Sequence, residues 1–277
     1  MGAALGLLAA LCYGGSDFVG GVGGRRTHAA TVALLGQPVS LVAALVAMAV
    51  VPGQGPTLAA LAWGALSGIG SGVGTVVLYR GLSVGRMSVV SPISAVVGAA
   101  IPAVVGVVVG GARPGPLVVA GLALALPAVV LVSSHGGGGQ GAVASVLYGV
   151  AAGCAFALLF IALNEAGTAS GAWPLVPSQV VAVLLIVPVA LAWSPRPLQV
   201  RASLSAALLA GALGGLANLL FLAATGRGEL TIVAVLASLY PAVTVVLARF
   251  LLSEHWRRVQ VVGLALSGAA VVLITVG

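Results

Sequence analysis

Asp17 stands well inside an apolar run, whereas the other three acids, Glu165, Glu229 and Glu254, fall in the breaks between runs. A carboxyl at such depth costs several kcal/mol unless it faces protein, water or a partner, so it is a functional candidate by default. Two roles suit it: contact with a cationic or polar substrate, or uptake of a proton that couples transport to a proton gradient. The plain alternative is a structural acid satisfied by the Ser16 hydroxyl or by neighbouring backbone.

Three amides sit at similar depth. Gln37 and Gln179 lie 142 positions apart, and Asn218 is in the middle of a later run. Amides surrounded by hydrocarbon must find partners. They either line a shared polar cavity or join helices through hydrogen bonds of about 1 kcal/mol each. Tyr13, Tyr79 and Tyr240 could each offer a phenol to a solute, with Ser91 and Ser94 flanking Pro92, whose ring removes one helical hydrogen bond. Tyr79, beside Arg80, reads as an anchor at the membrane interface, whereas Tyr240 beside Pro241 is placed towards the cavity. The expected substrate pathway is therefore Asp17, Gln37, Ser91, Ser94, Gln179, Asn218 and Tyr240, with Pro92 and Pro241 as kinks.

Catalysis within a membrane would need a serine or cysteine near a base, paired acids or clustered histidines. The acids other than Asp17 are in breaks, and so are His28, His135 and His255, which read as solvated and too scattered for a metal site. Cys12 and Cys154 lie in apolar runs and behave as small hydrophobes. No nucleotide-binding loop is present, so ATP-driven transport would require a separate subunit. No cofactor and no metal are expected, and an enzyme is disfavoured.

What must position these residues is membrane. The 277 residues are 61% hydrophobic and 5% charged, with a mean hydropathy of +1.24, against roughly 25% charged residues in a soluble domain. The net charge of +7 comes from 11 basic residues, all of them arginines, against 4 acids. Nucleic acid is not the partner this implies, because all the arginines except Arg249 sit in or beside the short breaks, where membrane proteins keep positive charge.

Apolar runs of membrane-crossing length occur at about 3–23, 29–50, 57–79, 87–109, 116–133, 142–163, 172–193, 203–224, 230–251 and 259–276. They predict ten transmembrane helices in an all-α membrane protein. The first run lacks a basic leader and a small-residue cleavage site, and reads as a retained span. A β-barrel would show shorter alternating segments. Trp63, Trp173, Trp193 and Trp256 fall near run ends, as anchors do.

Positions 143 apart keep matching through the first four spans of each half: Gly6 with Gly149, Tyr13 with Phe156, Gly68 with Gly211, Gly72 with Gly215. An offset of 142 matches the fifth span to the tenth, where Gly121-Leu-Ala-Leu recurs as Gly263-Leu-Ala-Leu. Two five-helix repeats follow, residues 1-138 and 139-277. Five is odd, so the second repeat enters from the opposite face and the repeat is inverted, the architecture from which many carriers gain alternating access. Gly64, Gly68 and Gly72 on the third span, echoed by Gly211 and Gly215 on the eighth, predict a bare helix face for close packing.

The breaks after odd-numbered spans hold Arg25, Arg26, Arg80, Arg86, Arg196, Arg201, Arg257 and Arg258, while the alternate breaks hold Arg113 and Arg227. This asymmetry places the first set in the cytoplasm and both chain ends outside, in the plasma membrane.

The stretch from Arg80 to Ala95, its partner from Gly228 to Pro241, and the later Ser253-Glu254 resemble the EamA-type drug/metabolite transporters, over essentially the whole chain. That resemblance implies two five-helix units and a secondary transporter of small metabolites or drug-like solutes, with export as the expected direction. Gly111 stands where the first unit would carry a Glu matching Glu254, and Gly98 replaces the proline matching Pro241. Family members are generally drawn with their ends in the cytoplasm, opposite to the arginine count. The expected partners are a small-molecule substrate and the lipid bilayer, with no nucleic acid; a proton-coupling role and the oligomeric state are left open. A channel or structural membrane subunit is the rival class.

Overall fold

The computed structural model describes residues 2–51, 53–108, 115–133, 140–167, 169–193, 200–225, 239–254 and 258–276. These residues are helical throughout, apart from short connections, and contain no strand. Ten helices run in order: α1 Gly2–Arg26, α2 Ala29–Val50, α3 Leu58–Val84, α4 Met87–Val108, α5 Pro116–Ser133, α6 Gln140–Ala166, α7 Leu175–Trp193, α8 Val200–Thr225, α9 Tyr240–Leu251 and α10 Arg258–Val276.

Six of the ten, α1, α2, α3, α6, α7 and α8, are long and apolar enough to cross a membrane. In α4, α5, α9 and α10 the apolar stretch described is shorter. The expected ninth span begins at 230, but residues 226–238 lie outside the described residues, and α9 opens at Tyr240. Pro92 sits inside α4. Pro241 stands in the first turn of α9, where its missing N–H breaks no helical bond.

The bundle inverts the pattern of a soluble protein. Large apolar side chains such as Leu45, Leu147, Leu184 and Phe250 point outwards, while Ser16, Thr31, Gln37, Ser67 and Thr244 are buried among alanines. Hydrocarbon outside accounts for both facts: Leu gains nothing by leaving lipid, and close backbone packing favours small residues.

Glycine faces set the helix directions. Gly64, Gly68 and Gly72 of α3 press in rising order on Pro174, just before α7, and on Ser178 and Ala182 within it, so these two helices run parallel. Gly36 and Ser40 of α2 meet Gly211 and Gly215 of α8 in the same rising order. Gly20, Gly21 and Gly24 of α1 meet Tyr79, Leu82 and Ser83 of α3, again parallel, whereas Gly15 and Gly23 meet Leu213 and Ala206 of α8 in falling order. Gly70, Gly81 and Gly85 of α3 likewise run antiparallel to α6, through Ala155, Tyr148 and Ser145. It follows that α6, α7 and α8 each run opposite to the helix five earlier. The halves interlock: α3 packs on α6 and α7, α8 packs on α1 and α2, and α5 packs on α10.

Candidate functional site

Helix α1 is held among α3, α8 and α9. Its glycines make this possible. A Cβ on Gly20 would occupy the ring of Tyr79, and one on Gly14 would strike Val243 and the Tyr240 carbonyl of α9. Thr244 Oγ1 donates to the Gly14 carbonyl at 3.1 Å and ties α9 down further. Asp17 sits half-buried on α1, the helix that carries Tyr13 and packs against Tyr79 and Tyr240, three residues with phenols.

Two of these phenols have their protons committed elsewhere. Tyr13 donates to Asn218 Oδ1 of α8 at 2.5 Å. Ser16 Oγ donates to the Ala210 carbonyl at 2.8 Å, and a hydroxyl has only one proton to give. In the 3.3 Å contact between Ser16 and Tyr79, the phenol must therefore be the donor. Ser16 does not satisfy Asp17, contrary to the structural alternative raised by their adjacency. Nor does a cation: the ion pair among the described residues joins Arg25 to Glu254. Tyr240 packs edge-on against Tyr13, with ring centroids 6.2 Å apart at 63°.

Tyr79 departs from its expected role as an interface anchor. It is buried, at 7% exposure, because α3 continues to Val84 and the bare surface of Gly20 seats the ring inside the bundle. Gln37 Nε2 donates to Gln179 Oε1, linking α2 to α7. Ser91 and Ser94 are each 1% exposed, and their hydroxyls have no hydrogen-bond partner among the described residues. Helical spacing puts both on the face of α4 between Val90, which packs with Phe18 of α1, and Ala95, which packs with Tyr240.

A cavity of about 330 Å³ lies between α4, α9 and α10, lined by Pro92, Ala95, Pro241, Val245, Leu264 and Val271 among others. Its wall is apolar and does not include Asp17. Ser267, the polar side chain on it, is already bonded to the Gly263 carbonyl.

The glycines expected to pack do meet backbone. A Cβ at Gly72 would stand 3.0 Å from the Ala182 Cα, and Gly211 abuts Gly36. His28, expected to be solvated, is partly buried with an unpartnered Nδ1 among the described residues, and burial together with Arg80 pushes its pKa down. His135 and His255 lie outside the described residues, as do Gly111, Trp256 and Glu229. Cys12 and Cys154 are free thiols, and no group of three metal-ligating side chains occurs among the described residues.

A bundle of apolar-surfaced helices around a polar centre defines a multi-pass membrane protein. Residues 143–276 match the EamA-like transporter family, and this match supports an EamA-type transporter of the drug/metabolite transporter superfamily. A solved crystal structure whose description states no function is similar in fold, with a TM-score of 0.60 over 98% of this chain and 94% of its own at 16% identity. No curated protein matches the chain.

Proposed function

We propose that the protein is a secondary carrier that moves a small cationic or polar solute across the plasma membrane by alternating access, with Asp17 as its central binding group. The observation that carries this reading is a carboxyl inside the bundle with no ion-pair partner among the described residues, on a helix that carries Tyr13 and packs against Tyr79 and Tyr240, phenols of which two donate elsewhere. Such a group is stabilised by an arriving cation, whether solute or proton. One site that holds either, but not both, exchanges them.

Residues 1-138 and 139-277 form the two moving halves in this proposal, related as an inverted repeat. The opposed directions of α1 and α6, α2 and α7, and α3 and α8 support it, and so do paired contacts such as Gly68 with Ser178 and Gly211 with Gly36. Ser91, Ser94, Gln37, Gln179, Asn218 and Tyr240 complete the pathway. The direction assigned is export, following the family resemblance; the arginine asymmetry supports both ends outside.

Reconstitution into liposomes tests the proposal. Solutes from classes spanning organic cations, amino acids and nucleosides are added to vesicles carrying a pH-sensitive dye. Saturable, solute-dependent proton movement that is lost in Asp17→Asn is expected; non-saturating flux would favour a channel, and coupling unchanged in Asp17→Asn would remove the assigned role.

A further inference from the structure

The loop after α9 belongs to the second half of the chain, yet it caps a helix of the first. Ser253 adopts a positive φ of 55°, which turns the chain sharply at the end of α9 and presents Glu254 to the start of α4. The Glu254 carboxylate accepts from the backbone N–H of Met87 at 3.1 Å and of Ser88 at 3.2 Å, and from Ser88 Oγ at 2.9 Å. These are first-turn donors with no partner inside the helix, at the end where its dipole favours negative charge. Arg25, in the last turn of α1, closes the group. It pairs with Glu254 at 3.3 Å and donates to the carbonyls of Leu82 and Gly85, while Arg249 donates to the Glu254 carbonyl at 3.3 Å.

Four helix ends and a loop are thus fastened at one face: α1, α3, α4 and α9. Directly inward lies an apolar layer of Phe18, Leu78, Leu82, Met87, Val90 and Ala248. Asp17 is eight residues from Arg25 along α1, about 12 Å deeper. Any solute leaving Asp17 towards this face must part the apolar layer and the fastening above it.

The opposite face has no such set in sequence. At the 143-residue offset, Arg25 is answered by Thr168, Glu254 by Gly111, Ser88 by Thr231 and Arg249 by Gly106. None of the four counterparts carries a charge. We infer that the Arg25–Glu254–Ser88 clasp is a one-sided gate, which holds the arginine-rich face closed and biases the carrier towards the conformer sealed on that side. The inference rests on the alternating-access reading above.

Cysteine labelling tests it without knowledge of the solute. In a background with Cys12 and Cys154 replaced by Ala, Ala248→Cys reports on the apolar layer and Ala10→Cys, 2% exposed in α1 beyond Asp17, reports on the other side. A membrane-impermeant maleimide is applied to oriented vesicles from the arginine-rich face. Glu254→Gln or Arg25→Gln is expected to raise the labelling rate of Ala248→Cys roughly tenfold, the scale of one lost charge-assisted hydrogen bond, with Ala10→Cys not accelerated. Ser88→Ala, which keeps the ion pair and removes one hydrogen bond, should give a smaller rise and guards against misfolding of the charge variants. Unchanged labelling in all three variants, or equal acceleration at both reporters, overturns the gate. Fast labelling of both reporters in the protein with its clasp intact would instead overturn alternating access itself.

Discussion

Gln37 of α2 hydrogen-bonds Gln179 of α7, which stands 142 positions later, one short of the 143-residue offset that matches the first four spans in sequence. In the inverted-repeat arrangement proposed above, with α2 and α7 related at 142 and α3 and α8 at 143, this bond would lie close to the axis relating the two units, as at the centre of an isologous dimer interface. Gly68 with Ser178 and Gly211 with Gly36 flank it as an equivalent pair.

A double-mutant cycle should find these amides coupled. Gln37→Leu or Gln179→Leu alone leaves one amide unpaired within the bundle and is expected to cost about 1–2 kcal/mol. The double replacement removes both polar groups and should cost less than the sum. Denaturant unfolding in detergent reads this directly, and strict additivity would show that the two side chains do not depend on one another.

Close approach at the glycine faces makes a second prediction. Gly211→Val places a branched side chain against the backbone of Gly36, and Gly68→Val does so against Ser178. Backbone cannot yield as a side-chain tip does, so each should lose about 1–3 kcal/mol. Gly268, with open space around it, is the control: Gly268→Ala should leave thermal unfolding unchanged or slightly raised, since alanine favours the helix.

Much of this arrangement is legible in sequence because lipid imposes strict demands. Apolar runs must be helices, small-residue faces must pack, and Asp17 must be accounted for. Gln37 and Gln179 stand out in the sequence as amides at matching depth, but that they bond to one another is seen only in the packing of α2 on α7. Tyr79 is not so legible: its place beside Arg80 suggests an interface, and only the packing of α1 on α3 reveals that Gly20 leaves room for its ring. Pairing across the fold is hidden for the same reason. Arg25 and Glu254 stand 229 positions apart, and the resemblance that singled out Ser253-Glu254 says nothing of α4.

His28 provides a pH dependence whose sign can be worked out. Burial, and then the nearby Arg80, hold its pKa below the ordinary value in the folded chain, while the unfolded chain takes up a proton near about 6.5. Between those two values the unfolded state binds more protons, so lowering the pH through about 6.5 favours unfolding. Thermal unfolding of the purified protein should show this loss, and His28→Gln should flatten the part of the curve just below pH 6.5. A curve of unchanged shape in His28→Gln would mean that the imidazole is solvated after all.

The sharpest prediction concerns Asp17, because stability and function should move in opposite directions. A carboxylate within the bundle carries a desolvation cost that only a partner can offset, and the described residues supply no cation for it. Asparagine has nearly the same shape and no charge, so Asp17→Asn removes most of that cost without opening a cavity. The variant should unfold at a higher temperature, by about 2–4 °C for each kcal/mol regained in a chain of this size, while losing solute-coupled proton movement. Such a trade is expected where a site is kept uncompensated for the sake of its ligand. A lower unfolding temperature for Asp17→Asn would show that the carboxylate already has a stabilising partner in the folded chain, and the case for a vacant cation site at the centre of the carrier would fail with it.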